Sequence, residues 1–168
     1  LKYSTRVINA NFYPLLVDAY CVKSSALADL NKLNDAIKLL SEAIAKCGDA
    51  YLLHYNLGLS YFKSRNLKMA INHLRKAIEV DTTHASSFLL YAYALNDDDK
   101  WIQSFLAFHF FLFLDPNTDR SKDAFSEMYD MLLTEHPPGS GKLQPDSGID
   151  QQKMYEYIQQ HKPTVDTP

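Results

Sequence analysis

The 168-residue sequence has little cysteine and little glycine, and it contains a single tryptophan. Its two cysteines, Cys21 and Cys47, are too few for a disulfide framework and lack the C-x-x-C spacing of metal and redox sites. We expect both to be buried packing thiols, with a single bridge between them as the alternative. The chain opens without a basic-then-apolar leader, so we expect a signal peptide to be absent or already removed.

Long apolar runs and strong charge are lacking as well. The longest nearly apolar run, Phe105 to Leu114, is ten residues and includes His109, whereas a membrane-spanning helix needs about 20. The net charge is −3 and Lys and Arg occur at most as short pairs, without the basic patch that nucleic-acid binders carry. We therefore expect neither membrane insertion nor a nucleic-acid partner.

Motifs for catalysis or metal binding are also missing. The six histidines show neither H-x3-H nor H-E-x-x-H spacing, and no serine lies in a nucleophile-elbow context. The run Asp97-Asp98-Asp99 lacks the alternating ligands and glycine of a calcium loop, so it is predicted to supply a turn and the N-cap of the next helix. We therefore expect no enzymatic activity, no metal site and no cofactor.

An internal repeat emerges when the chain is shifted by 34 residues against itself, which aligns residues 34–50 with residues 68–84. Apolar residues at spacings of three and four predict one amphipathic helix in each copy. A second helical stretch precedes each one, so the unit is predicted to be a helical hairpin. The identical pairs are Ala36 and Ala70, Ile37 and Ile71, Leu40 and Leu74, Ala43 and Ala77, and Ile44 and Ile78.

Residues 51–84 resemble the tetratricopeptide repeat, whose pattern is W-x2-L-G-x2-Y, then A-x3-F, a small residue and a proline. Two positions depart from it, because His54 stands in the place of the tryptophan and Thr82 in that of the proline. The matching residues are Leu57, Gly58, Tyr61, Ala70, Leu74 (conservatively) and Ala77.

This resemblance implies an all-α, right-handed α-solenoid of about three helix-turn-helix repeats with a C-terminal capping helix. Ser121 is the expected N-cap of that capping helix. The predicted layout is the end of a preceding helix and a turn at Pro14 in 1–16, a weak first repeat in 17–50, the second in 51–84, the third in 85–118, the capping helix in 119–136, a flexible linker in 137–149, and a short helix and tail in 150–168.

In such arrays the leading helices line a concave groove, which implies a non-enzymatic scaffold for a peptide or a partner protein. The alternative is that the C-terminal segment or a further repeat covers this face. One branch of the family clamps C-terminal carboxylates with Lys and Asn, whereas Cys21 and Ser25 occupy those places here. The groove residues implied are Tyr55, Leu59, Phe62, Leu89, Tyr93 and Asn96, with Cys21, Ser25 and Ala28 as first-repeat counterparts.

A second apolar surface is predicted on the last helix of the third repeat, formed by Leu106, Phe110 and Phe113. The corresponding residues of the other repeats are mostly polar, so something should cover this stripe. The predicted cover is intramolecular, either part of the capping helix or the segment containing Met154, Tyr157 and Ile158; a partner surface is the alternative. In that case the chain would be a self-associating or structural array, or an accessory domain of a larger protein.

The segment from His84 to Ser121 also looks like the third-repeat region of tetratricopeptide proteins common in gut Bacteroidetes, which are often exported. This looser resemblance favours a periplasmic or secreted setting, and the residues themselves indicate no compartment.

Overall fold

All regular structure in the computed structural model, which describes residues 1–133, is helical. The all-helical repeat fold predicted from the sequence is confirmed. The α-helices are α1 (Lys2–Asn9), α2 (Leu16–Asp29), α3 (Leu33–Cys47), α4 (Tyr51–Lys63), α5 (Leu67–Val80), α6 (Ala85–Asp97), α7 (Trp101–Leu114) and α8 (Asp119–Leu133), and a short 3₁₀-helix (Tyr13–Leu15) precedes α2.

Each α-helix packs on the next one along the chain. Helices α2 and α3, α4 and α5, and α6 and α7 form three hairpins, one within each predicted repeat, while α1 and α8 pack at the two ends. A stack of this kind buries a continuous core although no single hairpin could bury its apolar face alone.

Small residues bring the helices close together. Ala36, Ala43, Ala70 and Ala77 on the second helices of the first two hairpins are completely buried. Gly58 on α4 faces Leu74 so closely that a Cβ atom on Gly58 would lie 2.7 Å from Leu74 Cγ. Glycine is therefore required at this helix crossing for steric reasons.

The turn inside each hairpin repeats the same backbone geometry. Asn31, Arg65 and Asp99, spaced by 34 residues, have positive φ angles of 58°, 62° and 57°. In the first of these turns the Lys32 N–H donates to the Leu27 carbonyl at 2.8 Å, and equivalent bonds close the other two. This is a Schellman-type ending, in which the left-handed residue satisfies carbonyls at the helix C-terminus.

Three clusters of buried residues form the core between the helices. Leu16, Tyr20 and Leu40 belong to the first cluster, and Ala70, Leu74 and Ala94 form the middle one. The last cluster joins α6, α7 and α8 through Phe108, Phe111 and Met128 among others. Helix α8 thus closes the core at one end of the stack, while one of its faces remains in solvent.

The N-terminal turn differs from the sequence expectation. The chain leaves α1 through Asn11, which has a φ of 50°, and not at Pro14. Pro14 instead lies at the start of the 3₁₀-helix, where a fixed φ and a missing N–H are tolerated.

Two predicted N-caps are wrong. Helix α8 begins at Asp119, and Ser121 lies in its first turn, where its Oγ accepts a hydrogen bond from the Thr118 N–H at 2.7 Å, as in a capping box. The aspartate run does form a turn, but Lys100 precedes α7 and makes no side-chain cap. The predicted linker (137–149) and the short helix and tail (150–168) lie outside the described residues.

Candidate functional site

The predicted groove residues lie on successive leading helices, Tyr55, Leu59 and Phe62 on α4 and Leu89, Tyr93 and Asn96 on α6. All six side chains are half-buried. Tyr55 and Phe62 pack against the middle core cluster, and Leu89 and Tyr93 against the last one. Each of these four residues thus has one side anchored in the core and another accessible to a ligand.

A pocket of about 200 Å³ lies between α2 and α4. It brings Ser25 and Ala28 of the first hairpin together with Leu59 of the second. Its volume accommodates a single side chain rather than a folded ligand. The remaining lining residues are Ser24, Asp29, Asn56, Ser60 and Lys63.

Cys21 lies nearer the N-terminus of α2 than these pocket residues and packs against the first core cluster, as Cys47 does. Both cysteines are free thiols. Burial, followed by the nearby charge of Asp18, raises the pKa of Cys21 to about 11. Cys21 is therefore protonated at neutral pH and is a poor nucleophile.

Aromatic contacts hold the middle of the groove in place. The His84 ring lies 5.0 Å from Tyr51 and 5.1 Å, edge-on, from Tyr55, measured between ring centroids. His84 Nδ1 is 2.7 Å from Ser87 Oγ. Burial raises the pKa of Tyr55 and lowers that of His84, so both rings are uncharged at neutral pH.

The far side of the groove continues onto α8, which the sequence reasoning missed. Asp123 and Glu127 follow Leu89 and Tyr93 by the same 34-residue interval. Arg120 on α8 donates to Ser86 Oγ on α6 at 3.0 Å, so α8 lies beside α6. Burial raises the pKa of Tyr93, and the charges of Glu127 and Asp123 raise it further. Extending the repeat interval once more, into the predicted capping helix, would have found them.

The second apolar surface is open to solvent. Leu106, Phe110 and Phe113 are 53%, 58% and 83% exposed. Phe110 stacks on Phe88 with ring centroids 5.6 Å apart. Helix α8 packs on a different face of α7, through Phe108 and Phe111, so the predicted cover by the capping helix is wrong. The other predicted cover, Met154, Tyr157 and Ile158, lies outside the described residues.

A histidine pair, with His54 buried and His73 half-buried, joins α4 and α5. His54, only 1% exposed, donates from Nε2–H to Asp49 Oδ1 at 3.1 Å. His54 Nδ1 lies 3.1 Å from His73 Nδ1, so one of these two nitrogens donates and the other accepts. Both ring nitrogens of His54 are thereby satisfied, and the Tyr61 ring stacks on His73.

Residues 1–133 contain no group of three or more His, Cys, Asp and Glu side chains arranged to hold a metal ion. Within the same residues, none of the helices is both long and apolar enough to cross a membrane.

The family comparison identifies the middle hairpin. Residues 51–84, which comprise α4 and α5, match the model of the tetratricopeptide repeat. His54 therefore occupies the tryptophan position of that repeat, where its ring is buried and hydrogen-bonded. No curated protein matches the sequence significantly.

Solved structures extend the tetratricopeptide likeness to most of the described chain. The crystal structure of MamA shares 20% identity and a TM-score of 0.64, over 76% of this chain and 73% of that one. The second tetratricopeptide domain of human RPAP3, in complex with the HSP70 peptide SGPTIEEVD, shares 20% identity and a TM-score of 0.64, over 70% and 98%.

The TPR2B domain of yeast Sti1, in a complex with pHsp70, shares 15% identity and a TM-score of 0.65, over 71% of this chain and 98% of that one. At these identities the likeness concerns the fold. The comparisons give no support to a Bacteroidetes origin of the chain.

Proposed function

We propose that this tetratricopeptide-repeat chain is a non-enzymatic protein-interaction module that binds a peptide or a partner protein in its concave groove. The observation that carries the proposal is the row of anchored, half-exposed apolar side chains on α4 and α6, which are Tyr55, Phe62, Leu89 and Tyr93. Tyrosines fixed in this way offer a large contact area at a low entropic cost.

The structural neighbours support an interaction role, since RPAP3 and Sti1 domains are complexed with chaperone peptides. We do not extend chaperone-tail binding to this chain. Its first leading helix carries Cys21 and Ser25 where the carboxylate clamp has Lys and Asn. A ligand is therefore proposed to be recognised mainly by the apolar and aromatic groove residues.

A displayed library of random peptides would test the groove. Peptides selected on the full chain should bind the Tyr55→Ala/Leu59→Ala variant at least about tenfold more weakly, because two side-chain contact areas are lost. Binding is measured by isothermal titration. The matched control is Val22→Ala/Val80→Ala, two exposed apolar positions outside the groove. Equal affinities for both variants would contradict the proposal.

Self-association is the second candidate, favoured by the exposed stripe of Leu106, Phe110 and Phe113 on α7. Three large neighbouring apolar side chains in solvent are typical of an interaction surface. The corresponding positions in the second repeat hold Asn72, Lys76 and Glu79, so the stripe is specific to the third repeat.

Light scattering would test this second candidate. The wild-type chain should show an average mass that rises with concentration, whereas Phe110→Lys/Phe113→Glu should remain monomeric because charges replace the apolar contact. The control variant Leu30→Lys/Val80→Glu alters exposed apolar residues on other elements and should behave like the wild type. A wild-type chain that stays monomeric at high concentration would exclude self-association.

A further inference from the structure

Helix α8 takes the place of a fourth leading helix along the groove. It begins at Asp119, 34 residues after Ala85 at the start of α6, which itself begins 34 residues after Tyr51 of α4. Its buried side carries Ala124, Met128 and Met131. Asp123 and Glu127 lie on the flank that corresponds to Leu89 and Tyr93 of α6. Within residues 1–133 the last groove positions are therefore two carboxylates instead of apolar side chains.

The two carboxylates are exposed and lie one helical turn apart. Like charges at this spacing weakly destabilise a helix. No ion pair within residues 1–133 compensates either of them, since the α8 salt bridges there are Arg120 with Asp115 and Lys122 with Asp119. Their negative charge is thus available to a ligand.

An aromatic ring, that of Tyr93, lies at the same end of the groove. Tyr93 is half-buried and is held edge-on against Phe108, with ring centroids 5.2 Å apart. The raised pKa of its hydroxyl reflects burial first and the neighbouring charges of Glu127 and Asp123 second. An aromatic ring on α6 and two carboxylates on the adjacent α8 together favour a cation, through cation–π and charge interactions.

The other charges along the groove do not neutralise the negative charge of Asp123 and Glu127. Lys63 and Asp29 both line the pocket between α2 and α4, so one charge of each sign lies there. Arg120 is engaged by Asp115 at 2.6 Å and by Ser86 at 3.0 Å. Because these charges cancel in pairs, the net charge of the described groove residues is negative, and the excess comes from Asp123 and Glu127 on α8.

We propose that the groove binds a basic peptide segment, in which a Lys or Arg next to an apolar anchor rests against Tyr93 between Asp123 and Glu127. The apolar residue of the peptide contacts Leu59 and Leu89, and its Lys or Arg fixes the orientation of the peptide in the groove. The inference rests on the proposed groove function and specifies the partner's chemistry. It also distinguishes this groove from the RPAP3 domain complexed with the acidic peptide SGPTIEEVD.

The experiment compares two synthetic peptides that share an apolar core and differ only in carrying Lys or Glu at the flanking positions. Fluorescence anisotropy measures the Kd of each for the full chain at low and moderate salt. The Lys peptide should bind at least about tenfold more tightly than the Glu peptide, and added salt should reduce that preference because exposed charges are screened.

The variant Asp123→Asn/Glu127→Gln should weaken binding of the Lys peptide about tenfold, because two exposed charge contacts are lost. The matched control, Asp35→Asn/Glu42→Gln, removes the same charge from exposed positions on α3 and should leave the Kd unchanged. Circular dichroism of each variant reports retained folding.

Equal or tighter binding of the Glu peptide, or no response to Asp123→Asn/Glu127→Gln, would overturn the basic-segment inference. If both peptides still bind the Tyr55→Ala/Leu59→Ala variant more weakly than the wild type, the proposed groove function stands without the basic-segment inference. If neither peptide binds and the library peptides are insensitive to Tyr55→Ala/Leu59→Ala, both proposals are wrong.

Discussion

Replacing Gly58 with valine is expected to lower the free energy of unfolding by about 3 kcal/mol, as overpacking does at a tight contact. A Cβ atom at this position would lie 2.7 Å from Leu74 Cγ, 3.0 Å from Leu74 Cδ2 and 3.3 Å from the Leu74 backbone nitrogen. The side chain of Leu74 can shift, but the helix backbone behind it cannot do so without separating α4 from α5. Chemical denaturation with a constant m-value measures the loss.

A double-mutant cycle identifies the cause of that loss. Gly58→Ala should cost less than Gly58→Val, and it should cost less again in a Leu74→Ala background, where the clashing side chain is gone. The control is Ser41→Val, which introduces valine at an exposed position of α3 and should change stability by no more than about 0.5 kcal/mol. Stability unchanged in Gly58→Val would contradict the close approach of the two helices.

Acidification from pH 7 to pH 4 is expected to destabilise the fold through His73. Burial, together with the charges of His54 and Lys76, lowers the pKa of His73 from 6.5 to about 4. Because the folded-state pKa lies below the unfolded one, the unfolded state binds more protons between these values. The stability contributed by neutral His73 is therefore fully present above about pH 6.5 and is lost as the pH falls from there towards about 4.

The expected loss is about 1–2 kcal/mol, less than the whole pKa shift would give, because the His73 side chain is only half-buried and solvent screens it. The groups that face His73 are His54, Lys76 and the Tyr61 ring. Asp49, whose pKa is lowered by His54, adds a further loss only below its ordinary value of 3.8, as the pH falls through its folded pKa.

Thermal or urea unfolding at several pH values, compared between the wild type and His73→Gln, would measure this effect. In His73→Gln, most of the difference in the free energy of unfolding between pH 7 and pH 4 should disappear. The control His109→Gln removes an exposed histidine on α7 and should keep the wild-type profile. Parallel profiles for the wild type and His73→Gln would show that another group governs the acid response.

The helical hairpins and their 34-residue interval could be predicted because they depend on local patterns. The apolar spacing of α3 and α5 follows from helix geometry alone, and Ala70 and Ala77 indicate which faces meet. Helix boundaries were harder, because Ser121 and the aspartates before α7 have side chains suited to an N-cap in isolation. In the structure, α8 starts two residues before Ser121, and Asp99 takes the left-handed turn position.

The sequence by itself determined the repeat interval, the helical faces and the small residues at the helix crossings, because each depends on residues within one or two turns of each other. Only the tertiary structure decided how distant side chains combine: His54 with His73, Tyr93 with Asp123 and Glu127, and the exposure of Phe110 and Phe113. These arrangements depend on how successive hairpins stack, and the pattern within one helix does not specify that angle.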